Sequence, residues 1–133
     1  MNHIPFIDND ILTLLRSIDK NKSNGADGLS AHMLALCDES IVLPLRLLFS
    51  NILKTGIYPE LWKEANVTPI HKKGSKQLVK NYRPISLLPI CSKLFDRIIY
   101  KYLFSYLDSN NLITKYQSVF RPGRLDNKST FRP

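Results

Sequence analysis

From residue 92 to 108, Leu94, Phe95, Ile98, Ile99, Tyr102, Leu103, Tyr106 and Leu107 keep a helical period of about 3.6 residues, with Lys93, Arg97 and Lys101 on the other side. So broad an apolar stripe requires a matching layer, because a helix in a protein owes most of its stability to the face it buries. The matching material lies upstream. Residues 8–20 carry Ile11, Leu14, Leu15 and Ile18 at i, i+3, i+4 and i+7. Asp8 and Asp10 suit the positive end of that helix dipole, and Lys20 suits the other. A second helix is expected after Ser30 as N-cap, carrying Met33, Leu34 and Cys37. A third is expected over residues 41–54, with Leu45, Leu48, Phe49, Ile52 and Leu53 on one face. Pro44 falls in its first turn, where a missing N–H costs little, and Gly56 is its stop signal. These helices carry so much apolar surface that docking on something larger is expected.

The texture changes after Gly56. Residues 59–65 suit a short helix around Leu61 and Trp62. Residues 66–71 read as a strand containing Val67 and Ile70, and residues 72–81 as a polar, basic loop centred on Gly74 and Ser75. Residues 82–88 are extended again, since Pro84 disfavours helix at Arg83. Residues 127–133 look like an unsupported tail. The fold class is therefore α+β, mostly helical, with one basic β-hairpin.

Charge divides the chain more sharply than hydropathy does. Residues 1–62 hold five Lys/Arg against seven Asp/Glu, residues 63–110 nine against three, and residues 111–133 five against one. The whole net charge of +8 thus belongs to the second half. Such asymmetry is what a polyanion-binding surface needs, because each phosphate neutralised releases condensed counterions. A basic solvated face with no partner accounts for it equally well. Cys37 and Cys91 have no His or Cys at ligand spacing, which argues against zinc and against a disulfide scaffold, and both are expected as small buried thiols. No stretch approaches the roughly 18 apolar residues of a membrane span. The first ten residues lack the basic start and apolar run of a signal peptide, so an intracellular protein is expected.

Three segments carry more than packing. In Lys22-Ser23-Asn24-Gly25-Ala26-Asp27-Gly28, Gly25 and Gly28 bracket Asp27 between helices, a place for positive φ, with Asp27 able to cap the next helix. The hairpin over residues 66–88 gathers Lys72, Lys73, Lys76 and Lys80 in its loop and Arg83 just after it. It reads either as an exposed basic hairpin kept soluble by charge or as an arm that closes over a triphosphate. Lysine would supply mobile point charges there and arginine a planar fork. Phe120-Arg121-Pro122-Gly123-Arg124 sets two guanidinium groups on a rigid bend, suited to phosphate or sugar contacts or simply solvated.

In this order and spacing the blocks resemble reverse transcriptases of non-long-terminal-repeat (LINE-like, jockey-type) retrotransposons. The family's Lys-Ser-Pro-Gly-Pro-Asp-Gly block is matched at residues 22–28. Next come residues 53–63, then Ala65-Asn66-Val67-Thr68-Pro69-Ile70-His71-Lys72-Lys73-Gly74, then residues 81–88, then Ser92-Lys93-Leu94-Phe95-Asp96-Arg97-Ile98-Ile99. Residues 117–123 close the series, and the resemblance runs from about residue 4 to residue 124. It implies residues 1–124 as a partial reverse transcriptase domain, the fingers and start of the palm of a right-hand polymerase, and residues 125–133 as an irregular tail. It further implies that Lys72 or Lys73 and Arg83 touch the incoming nucleotide or template, that Arg121 and Arg124 lie near nucleic acid, and that Gly25, Asp27 and Gly28 form a structural turn. By the same resemblance Phe95, Ile98 and Ile99 are core, Lys93, Arg97 and Lys101 solvated or template-facing, and Trp62 a packing anchor. The implied partners are an RNA template, a DNA primer and a dNTP, in a nuclear or cytoplasmic ribonucleoprotein, with no membrane.

Nucleotidyl transfer needs two divalent cations held about 3.5–4 Å apart. In the family the palm aspartates that hold Mg2+ lie beyond the Arg-Pro-Gly block, and this sequence reaches Pro133 before either. No catalytic residue, metal ligand or cofactor is therefore expected within it. Departures point the same way: Ala26 stands where a proline is usual, Val119 where a glycine is common, and the Ser/Thr-rich continuation is absent after Arg124. The expectation is a fragment of an RNA-directed DNA polymerase, inactive alone; the alternative is a non-catalytic nucleic-acid-binding remnant of a transposable element.

Overall fold

A computed structural model describes residues 8–113. The described residues fall into two units, divided between Ile99 and Tyr100. In the first unit, α1 spans Asp8–Arg16, α2 Ala31–Cys37, α3 Val42–Thr55 and α4 Glu60–Lys63. Strands β1, Asn66–His71, and β2, Tyr82–Leu87, form an antiparallel two-stranded sheet, and α5, Ile90–Ser109, begins in this unit and ends in the second. The fold is mostly helical with one small antiparallel hairpin.

Local chemistry explains most helix ends. Helix α1 stops at Arg16, short of the expected Lys20, because the next turn tightens. There the Ser17 N–H reaches both Thr13 and Leu14 carbonyls at 3.1 Å, and the Ser17 hydroxyl donates to the Leu14 carbonyl at 2.8 Å. Ser30 caps α2 as expected, its Oγ accepting the Met33 N–H at 3.0 Å. Helix α3 ends on Gly56 in the left-handed region (φ 68°), whose N–H closes on the Ile52 carbonyl at 2.9 Å. Helix α5 starts at Ile90, before the expected Ser92, and Ser92 is not a cap: it is buried and its Oγ lies 2.7 Å from the Tyr58 hydroxyl.

The core of this unit runs from α1 and α2 through α3 to the first half of α5. Ile11, Leu15, Ala31, Leu34, Val42, Leu45, Phe49, Ile52, Trp62, Leu94, Phe95 and Ile98 are buried. Its centre is aromatic. The Phe49 ring lies 5.3 Å from Phe95 and 6.2 Å from Trp62, and Tyr58 lies 5.6 Å from Trp62, in tilted or edge-on arrangements that suit the ring quadrupoles. Arg16 forks onto Asp38 through two 3.0 Å hydrogen bonds and reaches Glu39 at 3.1 Å, while Arg46 pairs with Asp8 at 2.8 Å. These pairs tie the end of α1 to the turn between α2 and α3, and its start to α3 itself.

Burial departs from expectation on two helices. Leu48 and Leu53, placed on the buried face of α3, are exposed, because that face is the narrow stripe Val42, Leu45, Phe49 and Ile52. Met33 and Cys37 are exposed as well. The buried side of α2 follows Ala31 and Leu34, and its i, i+3, i+4 continuation runs through Ala35 rather than Cys37. Cys91, by contrast, is buried as expected.

Prolines within the hairpin sit where a missing donor does no harm. The register pairs Asn66↔Leu87 through His71↔Tyr82, with Pro69 opposite Pro84. The Lys72 N–H donates to the Asn81 carbonyl at 2.8 Å, so hydrogen-bonded pairs fall at 72/81, 70/83, 68/85 and 66/87. Pro69 and Pro84 therefore occupy a non-hydrogen-bonded pair, where an N–H would face outward.

Within the second unit, the Tyr100 and Phe104 rings stack at 5.6 Å. The helix closes with Asn111 in the left-handed region (φ 54°) and the Leu112 N–H on the Leu107 carbonyl at 2.9 Å.

Candidate nucleic-acid interface

Strand alternation decides which hairpin side chains share a face. Ile70, Arg83 and Ile85 lie on one side, and Val67, His71, Tyr82 and Ser86 on the other. Continuing the ladder through the Lys72–Asn81 hydrogen bond puts Lys72 on the Arg83 side, while Lys73 enters the turn. Lys72, Lys73, Lys76, Lys80 and Arg83 are all exposed. The structure thus brings Lys72 and Arg83 together across the strand ends and leaves Lys73 at the tip.

The loop carrying these lysines has a defined course. Gly74 has φ 82°, and a Cβ there would meet the Asn81 side-chain nitrogen at 2.8 Å. Three side chains from the strand ends hold three successive loop carbonyls. His71 Nε2 lies 2.9 Å from the Gly74 oxygen, Asn81 Nδ2 donates to the Ser75 oxygen at 2.8 Å, and the Tyr82 hydroxyl donates to the Lys76 oxygen at 2.9 Å. A carbonyl only accepts, so His71 carries its proton on Nε2. The His71 and Tyr82 rings meet edge-on at 5.4 Å. Sequence patterning did not reveal this clasp. Its only trace there is that polar and aromatic residues, not aliphatic ones, occupy both strand ends.

The glycine block packs against the far end of the hairpin. Gly25 is buried, and a Cβ on it would lie 2.4 Å from the Pro89 nitrogen and 2.5 Å from the Pro89 Cα. Positive φ belongs to Gly28 (72°), where the space is open. Two glycines of one motif thus answer two different demands, close approach and handedness. Asp27 does not cap α2, which Ser30 does. Its Oδ1 accepts the Leu29 N–H at 3.2 Å, while its Oδ2 is buried with no hydrogen-bond partner among the described residues.

Electrostatics mark the start of α5. The Lys93 ammonium is shifted below its usual range, first by burial, then by the neighbouring charges of Lys22 and Arg97, with Asp27 opposing. The Cys91 thiol is pushed up to about 11 by burial and by Asp27. Arg121 and Arg124 lie outside the described residues. Among those described, no three His, Cys, Asp or Glu side chains converge as metal ligands, so they offer no cage for paired divalent cations. No described helix is long and apolar enough to cross a membrane.

Comparison with known proteins gives these features a family context. No family model matches the chain. It is 33% identical over 113 residues, 84% of its length, to the RNA-directed DNA polymerase from mobile element jockey of Drosophila melanogaster. It is 32% identical over 86% of its length to the probable RNA-directed DNA polymerase from transposon BS of the same species. Against that from transposon X-element, also of this fly, the identity is 30% over 90%. The chain is homologous, at moderate identity over most of its length, to the reverse transcriptase domains of LINE/jockey-like non-LTR retrotransposons. It spans 12% of the jockey protein and 13% of each of the other two.

Proposed function

We propose that this chain is the fingers and early-palm part of an RNA-directed DNA polymerase, and that its hairpin holds the phosphates of an incoming nucleotide or of the template. The observation that carries the reading is the exposed loop bearing Lys72, Lys73, Lys76 and Lys80 beside Arg83, in a chain homologous to retrotransposon polymerases. Lys72 and Arg83 share a face and supply a point charge and a planar fork; Lys73 at the tip supplies a second, more mobile charge. Phosphate contacts of this kind position a polynucleotide without reading its bases. The described residues lack a carboxylate cage, so the part assigned to them is binding and positioning, not phosphoryl chemistry. RNA template, DNA primer and dNTP are the proposed partners, within an intracellular ribonucleoprotein. Arg121 and Arg124 are proposed as further backbone contacts.

The test is a filter-binding titration of the 133-residue chain against an RNA–DNA duplex across salt concentrations. Arg83→Ala is expected to weaken binding equally for different sequences and to lower the salt slope by about 1. An unchanged slope in Arg83→Ala and in Lys72→Ala would remove the hairpin from the interface.

A further inference from the structure

The clasp at the hairpin tip fixes more than the course of the loop. In a trans peptide the C=O of one residue and the N–H of the next point in opposite directions, and none of the described bonds is cis. The Gly74 carbonyl is turned toward His71, and the Ser75 carbonyl toward Asn81 and the Leu78 N–H. The Ser75 N–H therefore points away from His71 and the Lys76 N–H away from Asn81, in a stretch of loop that is exposed. Among the described residues neither meets an acceptor. The next amide along, that of Gln77, is occupied by the Ser75 Oγ at 3.3 Å, which leaves the Ser75 hydroxyl hydrogen free to turn outward.

We propose that the amides of Ser75 and Lys76, with the Ser75 hydroxyl, form a cradle for one phosphate group, held open by His71, Asn81 and Tyr82. Successive outward N–H groups in a turn make an anion-binding concavity, and here they lie in a loop that also bears Lys72, Lys73, Lys76 and Lys80. The lysines supply charge, which attracts any polyanion. The amides supply fixed direction, which selects a tetrahedral oxyanion. The inference rests on the reading of this loop as phosphate-facing and adds to it a backbone site and three positioning residues. The phosphate could belong to a nucleotide or to a polynucleotide backbone, since both present the same oxygens.

The test is a 15N-resolved NMR titration of the 133-residue chain with inorganic triphosphate in one arm and a short single-stranded RNA in the other. Saturable downfield shifts at the Ser75 and Lys76 amides in either arm are the expected result, and the arm that shows them names the source. His71→Leu should weaken that binding about tenfold, as loss of one support for a charge-assisted hydrogen bond would. His71→Gln, which restores a donor near the Nε2 position, should recover it. Tyr82→Phe removes one hydroxyl, keeps the ring against His71, and should weaken binding with the fold intact. Static Ser75 and Lys76 amides, in a chain whose binding still falls in Lys72→Ala and Arg83→Ala, would overturn the cradle and leave the hairpin reading standing. Moving amides with no effect of those two substitutions would support the cradle and sink the side-chain assignment. Binding in neither arm overturns both.

Discussion

The backbone of Gly25 sits so close to Pro89 that a Cβ at residue 25 would lie 2.4 Å from the Pro89 nitrogen and 2.7 Å from the Leu88 carbonyl carbon. The glycine loop between α1 and α2 is thereby locked to the junction of β2 and α5. Both partners in the clash are backbone, so neither can swing aside.

Gly25→Ala is accordingly expected to cost about 1–3 kcal/mol by overpacking. Gly28→Ala acts differently: space is open there, but φ is 72°, and a side chain in the left-handed region costs about 1–2 kcal/mol. Urea denaturation of the two variants measures both. Asparagine, which tolerates the left-handed region, should rescue position 28 and not position 25. Equal behaviour of the two asparagine variants would contradict the assignment.

Phe49 is fully buried at the centre of the aromatic cluster, and truncating such a side chain costs about 3–5 kcal/mol. Much apolar surface is left uncovered in this chain: Leu36, Leu47 and Ile57 are 72%, 60% and 70% exposed. Phe49→Ala is therefore expected to abolish cooperative unfolding. Emission from Trp62, the only tryptophan, should shift to the red in that variant without denaturant.

Tyr58 and Ser92 share a part-buried hydrogen bond of 2.7 Å between the segment before α4 and the start of α5. Ser92→Ala and Tyr58→Phe should each cost about 1 kcal/mol, and the double variant should cost less than their sum. Strict additivity in a double-mutant cycle would show that the two hydroxyls do not hold each other.

The two cysteines should separate chemically. Cys37 is exposed and is expected to react promptly with a thiol reagent at mild alkaline pH, whereas Cys91 should react only on unfolding. The Cys91 thiol is raised from its usual 9.0 to about 11, so the folded state keeps its proton where the unfolded state has lost it. Its contribution to stability is thus fully present below pH 9 and is lost as pH rises toward 11. Cys91→Ser or Cys91→Ala should flatten that alkaline fall in a pH series of urea midpoints, and an equally steep fall in both variants would contradict the assignment.

Repeating local chemistry was legible in the sequence. The apolar period of α1, α3 and α5, the Ser30 cap, the Gly56 stop and the two extended segments around a basic loop all arise from interactions within a few residues. The hairpin cations were legible for the same reason, since charge is a property of the residue and not of its surroundings. Tertiary structure alone decided which apolar residues are covered. Leu48 and Leu53 share a sequence pattern with Phe49 and Ile52, yet only the latter two meet the rest of the core. It also decided that Ser92 serves Tyr58 and not a helix end, and that Gly25 answers to Pro89, far along the chain. The clasp of His71, Asn81 and Tyr82 belongs to the same class. A side-chain donor can serve many carbonyls, and only the closed hairpin, with its register fixed, brings one within 3 Å of each.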